Sequence, residues 1–262
     1  MSCFCQTKHA GPCPVRFSRL KLLARSPLHY AHATVDETNV MERGSAVHSL
    51  VLGGQRVVAW DKVSENGNAC PRRGKDFDKF AADNPGALIL APSDFGAASA
   101  IAEAVKANKL AMSALDGERE QERTWKFGGR LCGGRIDAIP FDGVTELKVT
   151  FTADPRRFMW HAIKMGWLAQ DAWYLDGLAA AGQILRNARI VAVEPKPPYA
   201  VTVFKLTERA MDQARRTYRG WFEQLLVCEA SNEWPAYAQR EVDLDVPDED
   251  PGLDWGDEVE AA

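Results

Sequence analysis

Residues 118–151 read EREQERTWKFGGRLCGGRIDAIPFDGVTELKVTF. Three strand-like runs, 118–127, 130–140 and 144–151, are separated by Gly128-Gly129 and Asp142-Gly143. Both dipeptides suit two-residue hairpin turns, whose central residues need positive φ, a conformation glycine takes without a Cβ penalty. Three consecutive antiparallel strands are therefore expected in the middle of the chain.

Turn positions set the register. With Gly128-Gly129 at the centre of the first turn, cross-strand partners sum to 257, and Glu120 stands opposite Asp137 with Glu118 and Glu122 flanking it on the same face. With Asp142-Gly143 at the centre of the second, partners sum to 285, so Asp137 faces Lys148 and Ile139 faces Glu146. Residues two apart and cross-strand partners share a face, so Asp137, Glu146 and Lys148 project from one side. Ile136, Ala138, Leu147, Val149 and Phe151 fall on the other, which reads as core. Carboxylates placed opposite one another repel. A divalent cation would offset that, and hard oxygen ligands favour Mg²⁺ or Mn²⁺ over zinc. The same pattern also describes a solvated face with weak ion pairs, and a one-residue slip would move every side chain to the other face.

Working outward, residues 1–17 show no clear period. Ser18 is a plausible N-cap for helical patterning through Leu20, Leu22 and Leu23; Ser26-Pro27 opens a second short helix with His29 and Tyr30. A third helix holds Gly44, Val47, His48, Val51 and Leu52 and ends at Gly53-Gly54. Residues 53–76 read as loop around one short strand, 56–60, and 94–108 are strongly helical. After the three strands, one long amphipathic helix is expected over 155–178, with Gln170 and Tyr174 on a stripe with Ile163 and Trp167. Strands near 189–193 and 201–206 and a helix over 208–229 complete the order. The expected domain plan is an irregular 1–17, a single domain over 18–240 with its core about 94–230, and a flexible acidic tail over 241–262.

The chain has 262 residues, 46% of them hydrophobic, and 8 Trp, enough for a sizeable core. No apolar run is long enough to span a bilayer and no signal-peptide pattern opens the sequence, so a soluble cytoplasmic protein is expected. The net charge of −4 conceals an asymmetry: residues 241–262 hold ten acidic groups and no Lys or Arg, and without them the charge is +6. A mildly basic body is compatible with nucleic acid. Six scattered cysteines are not a disulfide framework. Cys3, Cys5 and Cys13, with His9 between, fit no common zinc spacing and read as free thiols.

Taken in order, Ser26-Pro27-Leu28-His29-Tyr30, Gly44-Ser45-Ala46-Val47-His48, Gly134-Arg135-Ile136-Asp137, Glu146-Leu147-Lys148 and Gln170-x-x-x-Tyr174 resemble the RecE-like (exonuclease VIII-like) phage exonucleases, a branch of the PD-(D/E)xK nucleases. The resemblance covers roughly residues 18–215. It implies an α/β (α+β) restriction-endonuclease-like core, a central mixed sheet flanked by helices, with N-terminal helical elements. Residue by residue, it implies that Asp137, Glu146 and the backbone carbonyl of Leu147 ligate a catalytic Mg²⁺, which Mn²⁺ can replace. His48 would contribute to that metal site; as a lone residue it reads equally as a packing imidazole. Lys148 would orient or help deprotonate the attacking water and stabilise developing charge, and Gln170 and Tyr174 would be supporting residues. Glu120 matches a family glutamate ahead of the hairpin, with Glu118 and Glu122 as alternatives. The sequence departs from the pattern in opening its triplet with Glu146, where many RecE-like members have Asp, and in carrying the acidic tail. Some relatives hold an iron–sulfur cluster on four cysteines, three near the C-terminus; only Cys228 lies there, so no cluster is expected.

What the resemblance implies about function is hydrolysis of linear double-stranded DNA from its ends, 5′ to 3′, leaving 3′ single strands for recombination. It implies a homo-oligomeric ring and a single-strand annealing protein as partner, in a phage or prophage setting. An endonuclease or repair nuclease with the same chemistry, and a catalytically silent DNA-binding protein, are the alternatives.

Overall fold

The computed structural model describes residues 13–33, 39–64, 69–238 and 240–244. It begins with strand β1 (Val15–Arg16), helix α1 (Phe17–Leu20) and a 3₁₀ turn over Lys21–Ala24. Ser26 caps α2 (Pro27–Ala31): its hydroxyl accepts from the His29 N–H, and Pro27 sits where no N–H is needed. Helix α3 (Asn39–Leu52) stops where Gly53 and Gly54 both take positive φ. Strand β2 (Val57–Ala59), helix α4 (Lys75–Asp83) and strand β3 (Leu88–Leu90) make a small parallel pair with its crossover. Helices α5 (Pro92–Ala107) and α6 (Lys109–Ala114) lead into β4 (Glu118–Phe127), β5 (Arg130–Ile139) and β6 (Gly143–Val149). Then come α7 (Pro155–Lys164), α8 (Trp167–Ala180), β7 (Asn187–Val193), β8 (Val201–Lys205) and α9 (Glu208–Ser231).

The main sheet is six-stranded and mixed. Strand β5 is its hub: β4 runs antiparallel along it, while β1 pairs in parallel at Cys132 and Gly133, and β6 pairs antiparallel at Ala138↔Thr145. Strand β7 lies parallel to β6, and β8 closes the edge antiparallel. One face is covered by α8 and α9, whose Ala172, Trp173, Leu175, Tyr218 and Phe222 pack with Trp125, Cys132 and Val144. The other is covered by α3, α5 and α6, with Val47, Ile101 and Leu115 against Leu147, Val191 and Val193. This is the expected α/β architecture, a central mixed sheet between helices.

The first hairpin has the expected register. Every β4–β5 pair sums to 257, and Gly128 and Gly129 both have positive φ. The second turn differs. Gly143 N–H donates to Pro140 O at 3.3 Å, so Phe141 and Asp142 are central and Ala138 pairs with Thr145. The sum is 283, and the shift of two preserves the face but moves the partners. Gly143 has no positive φ; it is small because a Cβ there would stand 2.0 Å from Asn187 O of β7.

Other expectations need correction. The helix expected over 155–178 is two, α7 and α8, because Gly166 takes φ 74° and ends the first. Ile163 is therefore exposed on α7, off the stripe of Gln170 and Tyr174. Phe151 lies past the end of β6 and is exposed rather than core. Ile136 and Ala138 do not share one cluster: Ile136 packs toward α8 and Ala138 toward α3 and α5, since the ladder on both sides breaks at the residue between them. Helices α4 and α6 and strand β1 were not foreseen; β1, within the stretch read as irregular, is too short to show a period. Cys13 is disulfide-bonded rather than a free thiol, whereas Cys70, Cys132 and Cys228 are free. Cys3, Cys5 and His9, and the tail beyond residue 244, lie outside the described residues.

Candidate active site

The site forms where β5 and β6 part company. After Ala138↔Thr145 the ladder gives way to side chains: the Asp137 N–H donates to Glu146 Oε1 (3.2 Å), and the Leu147 N–H donates to Asp137 Oδ2 (2.8 Å). Each carboxylate thus occupies a backbone donor of the neighbouring strand, satisfying groups that would otherwise be buried unpaired. On the opposite edge, Glu120 drops out of the β4–β5 ladder with φ 54°, facing the same residue. Both interruptions centre on Asp137.

Two helices close over this gap. From α3, His48 places Nδ1 3.3 Å from Asp137 Oδ1. From α8, Gln170 donates through Nε2 to Glu146 Oε2 (3.0 Å) and to the Tyr174 hydroxyl (3.0 Å), while its Oε1 accepts from Lys148 Nζ (3.3 Å). Lys148 Nζ also donates to Glu146 Oε2 at 3.0 Å. Asp137, Glu146, Lys148, Gln170 and Tyr174 therefore form one hydrogen-bonded group, and His48 joins through Asp137.

Burial sets the electrostatics. Glu146 is pushed up to about 7, first by burial and then by the Asp137 charge; Lys148 offsets part of this. Asp137 goes the other way: burial would raise it, but the His48 charge and hydrogen bond, with Lys148 and the Leu147 N–H, bring it below its ordinary value. For His48, burial would lower the pKa, and Asp137 outweighs that and raises it. Lys148 is likewise raised despite burial, by Glu146 and Asp137. The two carboxylates are so distinguished, one held ionised and one poised near neutrality.

Ligand atoms of His48, Glu120 and Asp137 lie within 4.8 Å of one another. One imidazole nitrogen and two carboxylate oxygens could hold a divalent metal ion, the carboxylates suiting hard cations and the imidazole suiting transition metals as well. Glu120 is also paired with Arg135, the exposed second residue of Gly134-Arg135-Ile136-Asp137. Of its two rivals, Glu122 is paired with Arg16 and Glu118 with Arg123, both at the surface. Glu146 adjoins the three-residue group: its Oε1 accepts from the Asp137 N–H, while its Oε2 is taken by Lys148 and Gln170.

The sequence reading missed Asp171. It is fully buried on α8 beside Gln170, and neither carboxyl oxygen has a hydrogen-bond partner among the described residues. Burial, then the Glu146 charge, hold its pKa well above the carboxylate range. The available signal was an acid in a run of Ala169, Ala172 and Trp173, all core residues. Glycine matters too: a Cβ on Gly134 would stand 2.3 Å from Tyr174 Cε1.

A mixed sheet whose central hairpin ends in Asp137 and Glu146-Leu147-Lys148 defines the PD-(D/E)xK nuclease class. Over residues 17–242 the chain matches the family described as "PDDEXK-like domain of unknown function (DUF3799)", and it belongs to that family. The fold is similar to the crystal structure of a protein from Eubacterium rectale described as a "putative exonuclease", with a TM-score of 0.61 and 15% identity, covering 89% of this chain and 91% of that one. No curated protein matches the sequence. The chain is thus a member of the PD-(D/E)xK nuclease superfamily, a class of hydrolases acting on nucleic acids. Among the described residues no helix is long and apolar enough to cross a membrane.

Proposed function

We propose that the protein is a metal-dependent exodeoxyribonuclease of the RecE-like type, hydrolysing linear duplex DNA 5′ to 3′ and leaving 3′ single strands for recombination. The observation that carries the reading is the joining of Asp137, Glu146, Lys148 and Gln170 in one hydrogen-bonded group beside the metal-competent trio of His48, Glu120 and Asp137. Mg²⁺, with Mn²⁺ as substitute, would be held by Asp137 and His48, with Glu120, Glu146 and the Leu147 carbonyl completing the set. When bound, such an ion supplies a water acidic enough to attack near neutral pH and charge to stabilise the phosphoryl oxygens.

The protein's own groups do the rest. Lys148, fixed by Glu146 and Gln170, presents a point charge where negative charge grows and steers the attacking water. Gln170 holds Lys148 and Glu146 at one spacing, and Tyr174 fixes the amide from behind. His48 keeps Asp137 ionised and oriented. A double-stranded DNA end as substrate, a ring-shaped homo-oligomer, a single-strand annealing partner and action in the cytoplasm of a phage-bearing host belong to the same proposal, by likeness to the family.

Cleavage of duplex DNA in Mg²⁺ but not EDTA, lost in Asp137→Asn, tests the reading. Full turnover by that variant would sink the site. Covalently closed circles separate it from an endonuclease, which would open them.

A further inference from the structure

Helix α7 links two parts of the site: it follows β6, which carries Lys148, and precedes α8, which carries Gln170. Its inner side is anchored by Phe158, stacked on Phe204 at 4.2 Å, and by Ala162. Its outer side is unusual. Arg156, Met159, Trp160, Ile163 and Lys164 follow the i, i+3, i+4, i+7, i+8 spacing that makes one stripe of a helix. The apolar members all face solvent, Trp160 with 68% of its surface exposed. Arg157 and Phe151 extend the patch, the guanidinium 5.7 Å from the ring centroid, and His161 packs edge-on against the same ring at 4.5 Å. Residues 155–165 contain three Lys or Arg and no acid. Asp154, the carboxylate that immediately precedes the helix in sequence, caps it by accepting from the Arg156 and Arg157 N–H groups. Phe151 is the third residue after Lys148, so their Cα atoms lie within about 11 Å.

We propose that this face of α7, with Phe151, binds single-stranded DNA next to the cleavage site: bases stack on Trp160 and Phe151, and Arg156, Arg157 and Lys164 take the phosphates. Exposed aromatics interleaved with cations are what unpaired strands require, since stacking needs accessible base faces. A duplex would offer this surface only phosphates and leave Trp160 and Ile163 in water. A second copy of the chain packed face to face would set these cations against themselves. The proposal rests on the nuclease reading for its substrate, although the surface is separate from the acidic group.

The test is fluorescence anisotropy of the full chain, in EDTA, with a labelled oligo-dT and an abasic oligonucleotide of equal length. Trp160→Ala weakens oligo-dT binding about tenfold or more, while Trp160→Phe retains it and abasic binding is unchanged in both. The double variant Arg156→Ala/Arg157→Ala weakens both ligands and reduces the salt slope by roughly 1.4. Undiminished oligo-dT affinity in folded Trp160→Ala overturns the proposal, as does a loss of self-association in that variant with oligo-dT binding intact. If the wild type binds oligo-dT through Trp160 yet cuts no DNA with metal, the nuclease reading fails and this surface stands. If it cuts and Trp160 is dispensable, the surface alone fails.

Discussion

Gly134 lies under the ring of Tyr174, with room for a hydrogen but not for a methyl group: a Cβ there would stand 2.3 Å from Cε1. The Tyr174 hydroxyl accepts from Gln170, which in turn holds Glu146 and Lys148. A small residue on β5 thereby sets the position of groups on β6. Gly134→Ala should displace the buried ring and destabilise the protein by about 1–3 kcal/mol, with cleavage falling as well. Urea unfolding of Gly134→Ala, Tyr174→Leu and the double variant checks this: the double variant should cost less than the two single changes added. Strict additivity would show that the two residues do not act together.

Lys148→Ala should retain DNA binding and lose cleavage. On the proposed reading the lysine would carry charge to the reacting phosphate, while its enclosure between Glu146 and Gln170 leaves it little to add to the affinity for the DNA backbone. Binding assays in EDTA and cleavage in Mg²⁺ on the same preparation separate the two effects. Unchanged cleavage refutes the role.

The choice among three glutamates is open to direct test. Glu120→Gln should raise the Mg²⁺ concentration needed for half-maximal cleavage by about tenfold, a scale typical of disturbed metal sites. Glu118→Gln and Glu122→Gln should leave it unchanged, because those carboxylates are committed to Arg123 and Arg16. A metal titration of cleavage for each variant decides. A shift in Glu118→Gln or Glu122→Gln, but not in Glu120→Gln, would reassign the residue.

Glu146 also gives the metal-free protein a signed pH dependence. Its carboxyl titrates near 4.5 as a free glutamate side chain and is pushed up to about 7 in the folded protein. Between these values the folded chain keeps a proton that the unfolded chain has released. Its contribution to stability is therefore whole below pH 4.5 and is lost as the pH climbs to about 7. In EDTA, wild type should lose stability relative to Glu146→Gln between pH 5 and pH 8. Parallel stability profiles would contradict the shift.

The fold was legible where local chemistry decided it. Gly128-Gly129 gave the β4–β5 register pair for pair, because two positive-φ glycines leave one tight turn. Asp142-Gly143 misled because Gly143 is needed for contact with Asn187 of the distant strand β7, which no local pattern reveals. The error of two kept the acidic face intact, so Asp137, Glu146 and Lys148 were still expected on one side. Apolar periodicity ran unbroken through Gly166, hiding the joint between α7 and α8. The pairing of Glu120 with Arg135, and of His48 with Asp137, needs tertiary geometry. Sequence could offer only three candidate glutamates and a histidine whose packing role was equally natural. Asp171 went unnoticed because an acid on a helix is ordinarily a surface residue.

The central claim is tested most directly by digesting a linear duplex, labelled at each 5′ or 3′ end in turn, with Mg²⁺ and with EDTA. Progressive Mg²⁺-dependent loss of the 5′ labels, with covalently closed circles spared, is the predicted result. Folded protein that cuts neither strand with Mg²⁺ or Mn²⁺ would contradict the account and leave a DNA-binding protein without catalysis.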